Sequence, residues 1–210
     1  MGHSDYDPGV KGRKPWNAGR KIGCKRALKP QQVWAIRFWL DQDGRLRDRA
    51  MFDLAIDSKL RGCDLVGLKI GEVVVNASAR HRATIIQKKT GQPVQFELTE
   101  QTRGSLLAWL DRRGGALGDY VFPSRAHEGK HLSTRQSARL VGDWVEAAGL
   151  GRSAYGTHSL RRTKVALIYK RTGNLRAVQI LLGHSKLEST VRYLGVEAED
   201  ALVLSEATEV

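Results

Sequence analysis

Cysteine is scarce in this 210-residue chain: Cys24 and Cys63 stand far apart and form no C-x-x-C spacing. That argues against a disulfide framework or a structural zinc site and fits a reducing compartment. Long hydrophobic runs are absent too. No stretch approaches the roughly 18 consecutive apolar residues of a membrane helix, and the opening MGHSDYDPGVKGRKPW lacks the apolar core of a signal peptide, so the chain is expected in the cytoplasm. Acidic residues are outnumbered: 22 Asp and Glu against 35 Lys and Arg leave a formal net charge of +13. So positive a surface repels itself unless a polyanion is its partner, and nucleic acid is the default polyanion.

The apolar content of 41% suffices for a real core. Charge is unevenly spread. Residues 1–30 carry eight Lys or Arg against two Asp, whereas residues 194–210, LGVEAEDALVLSEATEV, carry five acids and no base. Residues 1–27, Gly-rich, basic and without apolar period, read as an arm that either tracks phosphates or is simply solvated. The acidic tail, 197–210, reads as a protein-contacting helix, docked on a neighbouring subunit or on its own domain.

Between them, residues 28–196 form one domain. Pro30 suits a first helical position, and QQVWAIRFWLDQDG places Val33, Trp34, Ile36 and Trp39 on a helical stripe ended by Gly44. LRDRAMFDLAIDSKL is a second helix. The period then becomes extended in EVVVNA, RATIIQK and PVQFELT, where Val94, Phe96 and Leu98 alternate with polar residues as in a half-buried antiparallel strand. Helical segments follow to the C-terminus. The expected fold is α+β and mainly helical, with one small three-stranded antiparallel sheet inserted after the second helix.

Several polar residues stand out against this background. In GTHSLRRTK, Thr157 is a candidate N-cap, which puts His158 in the first turn and Arg161 three residues on, over the same face, where free N–H groups and the helix dipole favour an anion. In LLGHSKLEST, Gly183 is placed as a helix C-cap, and Ser185 with Glu188 spells a capping box, so His184 is pinned in the bend between two helices. Along the second of these, Leu187, Val191 and Leu194 share a stripe, and at about 100° per residue Tyr193 points roughly 120° away from it. Such a tyrosine is either an ordinary amphipathic surface residue or a placed functional group. Arg61 precedes a glycine between a helix and the sheet. Lys88, Lys89, Thr90 and Gly91 form the tip of a hairpin that can enter a groove of duplex DNA or merely be an exposed turn.

Taken in order, an arginine in a helix-to-sheet junction, a hairpin lysine, H-x-x-R at a helix start, L-L-G-H, and a tyrosine nine residues later resemble the tyrosine recombinase (phage integrase) family. The resemblance runs from about residue 45 to 195 and is most specific from THSLRRT through LLGHSKLESTVRYLG. It implies the family's catalytic-domain fold and site-specific recombination of double-stranded DNA by a dimer or tetramer assembled on it. By this match Arg61 corresponds to the first catalytic arginine, His158 and Arg161 to the His-x-x-Arg pair, His184 to the second histidine and Tyr193 to the nucleophile. Lys89 corresponds to the catalytic lysine through its Lys-Thr-Gly turn, with Lys88 the alternative. The family usually carries a further N-terminal helical domain; only the basic arm stands in its place here, as in the fimbrial phase-variation recombinases.

The implied chemistry is attack of a phenol on a phosphodiester, giving a 3'-phosphotyrosine that another strand's 5'-hydroxyl can reseal without ATP. Two arginines on the non-bridging oxygens supply the charge that metals supply elsewhere, so no metal or cofactor is expected. Ionising a phenol at pH 7 costs about 3 pK units, roughly 4 kcal/mol. The resemblance gives His158 the role of base and Lys89 that of acid to the leaving oxygen. Two other functions share these features: a DNA-binding regulator that has lost strand exchange, and a DNA-relaxing enzyme of the type IB topoisomerase kind.

Overall fold

A computed structural model describes residues 25–194 and Glu206. The arm up to residue 24 and nearly all of the acidic tail lie outside the described residues. Nine helices and four strands are found among the described residues: α1 (Pro30–Gln42), α2 (Leu46–Ser58), α3 (Gly62–Val66), α4 (Ile70–Val73), β1 (Val74–Val75), β2 (Ser78–Ala79), β3 (Arg82–Ile86), β4 (Pro93–Glu97), α5 (Glu100–Arg113), α6 (Thr134–Ala147), α7 (Thr157–Thr172), α8 (Leu175–Leu182) and α9 (Leu187–Leu194). None of these helices is long and apolar enough to cross a membrane.

Helix α2 is the axis of the domain. From Asp48 to Ser58 every residue is buried, with α1, α5 and α7 packed around it. A helix buried all round must satisfy its charges internally. Asp53 pairs with Arg37 at 2.7 Å and Arg49 at 3.4 Å, and Asp48 accepts from the indole of Trp144, whose ring meets Phe52 edge to face at 5.8 Å. On α1 the buried positions are Val33, Ile36 and Leu40. Trp34, expected on that stripe, is 59% exposed because the i, i+3, i+7 phase leaves it outside; the Arg37 guanidinium covers its ring at 5.2 Å.

The expected three-stranded sheet is instead two separate two-stranded antiparallel sheets, β1 with β2 and β3 with β4. The reason lies in two residues. Asn76 and Ala77 both adopt positive φ, 47° and 60°, forming a tight reversal that returns EVVVNA onto Ser78–Ala79 and leaves it no length to reach β3. The β3–β4 hairpin keeps the expected alternation: Ala83, Ile85, Val94 and Phe96 face the core, with Ala83 opposite Phe96 and Ile85 opposite Val94.

The main core runs from α1 to the start of α7. A second, smaller cluster of Val165, Val178 and Leu182 joins the end of α7 to α8 and α9, with Tyr193 and Leu194 packed against it. The last two helices therefore hold to the body through a small apolar cluster of their own.

Candidate active site

Three chain reversals converge at the junction of the two cores. The first is the end of α2, where Lys59 closes the helix in left-handed geometry (φ 55°) and Arg61 becomes the N-cap of α3. The Lys59 amino group is fully buried and satisfied by the Asp57 carbonyl at 2.6 Å and the Glu97 carboxylate at 2.8 Å. Lys164 from α7 pairs with both Asp57 and Glu97 at 2.6 Å. This ion network ties α2, β4 and α7 together at the end of α2, two residues before Arg61.

The second is the start of α7. Its N-cap is Gly156 rather than Thr157: the backbone there is extended, and Ser159 Oγ accepts from the Gly156 N–H at 3.1 Å, which leaves Thr157 as the first helical residue. His158 still falls in the first turn, exposed. Arg161, one turn on, is only 4% exposed, and its Nη2 donates to the Leu182 carbonyl at 2.8 Å. Its Nη1 is buried with no partner among the described residues.

The third is the α8–α9 turn. Gly183 closes α8 at φ 63°, and a Cβ there would sit 2.5 Å from Val94 of the hairpin, so glycine is needed both for the conformation and for the close approach. Helix α9 starts at Leu187, not at Ser185 as the capping-box spelling predicts. Gln179 Nε2 donates to the carbonyls of His184 and Ser185, and His184 Nδ1 contacts Thr190 Oγ1 at 3.1 Å, which holds residues 184–186 in a bend. This also rotates the helix from the expected phase: Leu187 is 41% exposed, Thr190 is buried, and Tyr193 faces inward against the small core.

Tyr193 thus packs against His184 and Arg161, which the sequence singled out, and against Arg162, which it did not. Its ring meets His184 edge to face at 5.6 Å, and the guanidinium carbons of Arg161 and Arg162 stand 5.9 and 5.1 Å from its centroid. Its hydroxyl lies 3.5 Å from the His158 carbonyl oxygen, the long limit of hydrogen bonding. Burial pushes the phenol pKa up, against the pull of Arg161, Arg162 and Arg61. His184 is held at about 4, first by lost hydration and then by Arg161 and Arg61, so its imidazole is neutral near pH 7. His158 is lowered in the same way, by desolvation and then by Arg161, Arg162, Arg61 and Lys25. A positive, partly dry pocket that lowers both histidines and holds a buried guanidinium N–H without a partner among the described residues suits an oxyanion.

Arg61, His158, Arg161, His184 and Tyr193 are brought together. Lys89 is exposed at the hairpin tip, with no hydrogen bond or ion pair among the described residues. Lys88 folds back on α3: its N–H donates to Asp64 at 2.9 Å and its amino group lies over Gly67. Sequence reasoning missed Gln87 and Arg162. Gln87, 1% exposed, accepts from Arg61 Nη1, and the signal for it was its place in phase with buried Ala83 and Ile85 at the end of β3. Arg162 donates to the Lys25 carbonyl at 2.7 Å, so the first described residues are strapped to the helix beside Tyr193. Nothing in a run of two arginines distinguishes it in advance.

Known proteins bear out the resemblance. The Phage integrase family profile matches residues 26–200, and the chain belongs to that family. It is 30% identical over 151 residues to the tyrosine recombinase XerC of Chromobacterium violaceum, covering 72% of this chain and 48% of that one. It is 31% identical over 161 residues to XerD of Caulobacter vibrioides, covering 73% and 51%. The chain spans about half the length of these relatives. In fold it is similar to the XerA recombinase (TM-score 0.72, 20% identity, 90% of this chain and 67% of that one). It is also similar to XerH bound to palindromic difH substrate in a post-cleavage complex (TM-score 0.68, 21% identity, 93% and 57%).

Proposed function

We propose that the chain is the catalytic part of a site-specific DNA recombinase that cuts and rejoins strands through a 3'-phosphotyrosine at Tyr193. The observation that carries this reading is the seating of the Tyr193 phenol beside Arg161, whose buried Nη1 has no partner among the described residues. A scissile phosphate in that space accepts from Arg161 and Arg61 through its non-bridging oxygens, with neutral His184 as a further donor. The Tyr193 oxygen attacks phosphorus, its proton passes to a base, and the bond to the 5'-oxygen breaks. Burial of the phenol makes that base necessary. His158 is assigned the base role and Lys89 the acid that protonates the leaving oxygen. Reversal by a 5'-hydroxyl from another duplex exchanges strands.

The net charge of +13 and the basic residues of the arm favour duplex DNA as the partner. Exchange between two duplexes calls for a dimer or tetramer on the DNA, and the fold is similar to that of a lambda integrase dimer bound to a core site. The acidic tail then serves as the docking element between copies, and the cytoplasm is where such an enzyme acts. The test is a nicked suicide duplex carrying the target site, resolved on a denaturing gel. A covalent adduct with the wild type and none with Tyr193→Phe is expected; an adduct that survives Tyr193→Phe rejects the reading, as does its absence from the wild type. Relaxation of supercoils without exchange would indicate the topoisomerase-like activity, and binding without cleavage the regulator.

A further inference from the structure

We infer that Gln87 is the residue that positions Arg61 on the scissile phosphate and locks the lysine-bearing hairpin turn to it. The inference rests on the strand-cleavage reading above. Gln87 follows β3 and, as a polar side chain that is almost fully buried, must find partners. Its Oε1 accepts from Arg61 Nη1 and from Thr90 Oγ1, the latter at 2.9 Å. An arginine can only donate, so the amide must present its oxygen to Arg61, which sets the orientation of the whole group. One Arg61 nitrogen is thereby held by protein, while its other guanidinium N–H groups, which make no hydrogen bond among the described residues, can meet a phosphate. Through Thr90 the same oxygen holds the turn that displays Lys88 and Lys89.

On its far side, Gln87 abuts the α8–α9 turn: its amide atoms lie 3.3 and 3.4 Å from the place a Cβ would occupy on Gly183. Leu182, the residue before, receives Arg161 Nη2. The Gln87 side chain therefore stands between the supports of the two arginines. Its Nε2 is buried without a partner among the described residues, as is Arg161 Nη1. A side chain kept only for packing would be apolar at this point, because an unpaired buried amide N–H is unfavourable.

The experiment compares Gln87→Met, which keeps length and loses both hydrogen-bonding groups, with wild type, Arg61→Ala and the double variant on the suicide duplex. Gln87→Met is expected to bind DNA within about threefold of wild type, melt cooperatively and form the adduct roughly 100-fold more slowly, the scale of losing one oriented donor at an oxyanion. In the Arg61→Ala background the same change should add less than about threefold, since coupled residues are not additive. A duplex with a methylphosphonate at the scissile position, which removes the oxygen charge that Arg61 would meet, should shrink the Gln87→Met defect; loss through misfolding would persist on both substrates. Wild-type adduct rates for Gln87→Met, or a full additional loss in the Arg61→Ala background, overturn this inference alone. Absence of adduct from the wild type overturns it together with the function proposed above.

Discussion

The rings of His184 and Tyr193 meet at 83°, centroids 5.6 Å apart, so the histidine of the α8–α9 bend and the tyrosine of α9 form one packed unit. The charge state of that histidine follows from its surroundings. With a folded pKa of about 4 and an unfolded value near 6.5, the unfolded chain binds more protons through that window, so stability falls as pH drops from about 6.5 toward 4. His158, also lowered, acts in the same sense. Urea midpoints should decline between about pH 7 and pH 5, and His184→Asn should flatten part of the decline. An unchanged slope in that variant would contradict the assignment.

Arg162 stands over the Tyr193 ring while holding the Lys25 carbonyl. A cation over an aromatic ring contributes about 0.5–2 kcal/mol, so Arg162→Met should slow adduct formation roughly two- to thirtyfold. DNA affinity, read by anisotropy of a labelled duplex, should change much less, because the effect is on the nucleophile's placement. Equal loss of binding and cleavage would make Arg162 a DNA contact instead.

The network of Asp57, Lys59, Glu97 and Lys164 is a stability element. Burial alone would raise the Asp57 carboxyl, but hydrogen bonds from Lys164, Thr102 and Thr99 outweigh it and hold it below the ordinary range; Glu97 is lowered as well, by Lys164 and Lys59 against its own desolvation. Carboxyls with depressed pKa values stabilise the fold above the unfolded pKa and lose that contribution as pH falls through the folded one. Lys164→Met leaves Asp57 to its Thr99 and Thr102 hydrogen bonds and should reduce stability by about 1–3 kcal/mol in urea titrations near pH 7. The acid side of the stability profile should be shallower in the variant.

Gly183→Ala meets both a left-handed backbone and the Val94 methyl group. A loss of about 1–3 kcal/mol is expected from the backbone alone, with more from the clash. Adduct formation should suffer beyond the loss of folded protein, because the turn carries His184 and abuts Gln87. Full activity in Gly183→Ala would mean that the turn and the hairpin separate without consequence.

How much of this was legible in advance depended on the range of the interactions. The order of helices, the alternation in β4, the Gly183 cap and the ordered Arg, His, Arg, His, Tyr series are local or additive properties, written in spacing and residue type. The sheet pairing was not, because the left-handed turn at Asn76–Ala77 sends the first extended run onto its nearest neighbour. The inward face of Tyr193 was misread for a similar reason. Its helix starts two residues late, held by Gln179 and Thr190 from outside the capping motif. The sequence by itself determined the family, the polyanion-seeking charge and the residue types of the site. Only the tertiary structure decided which groups meet. Gln87 gains its role from being folded against Arg61 and Gly183, and Arg162 from being folded against Tyr193 and Lys25, contacts across 26 to 137 residues that no local pattern encodes.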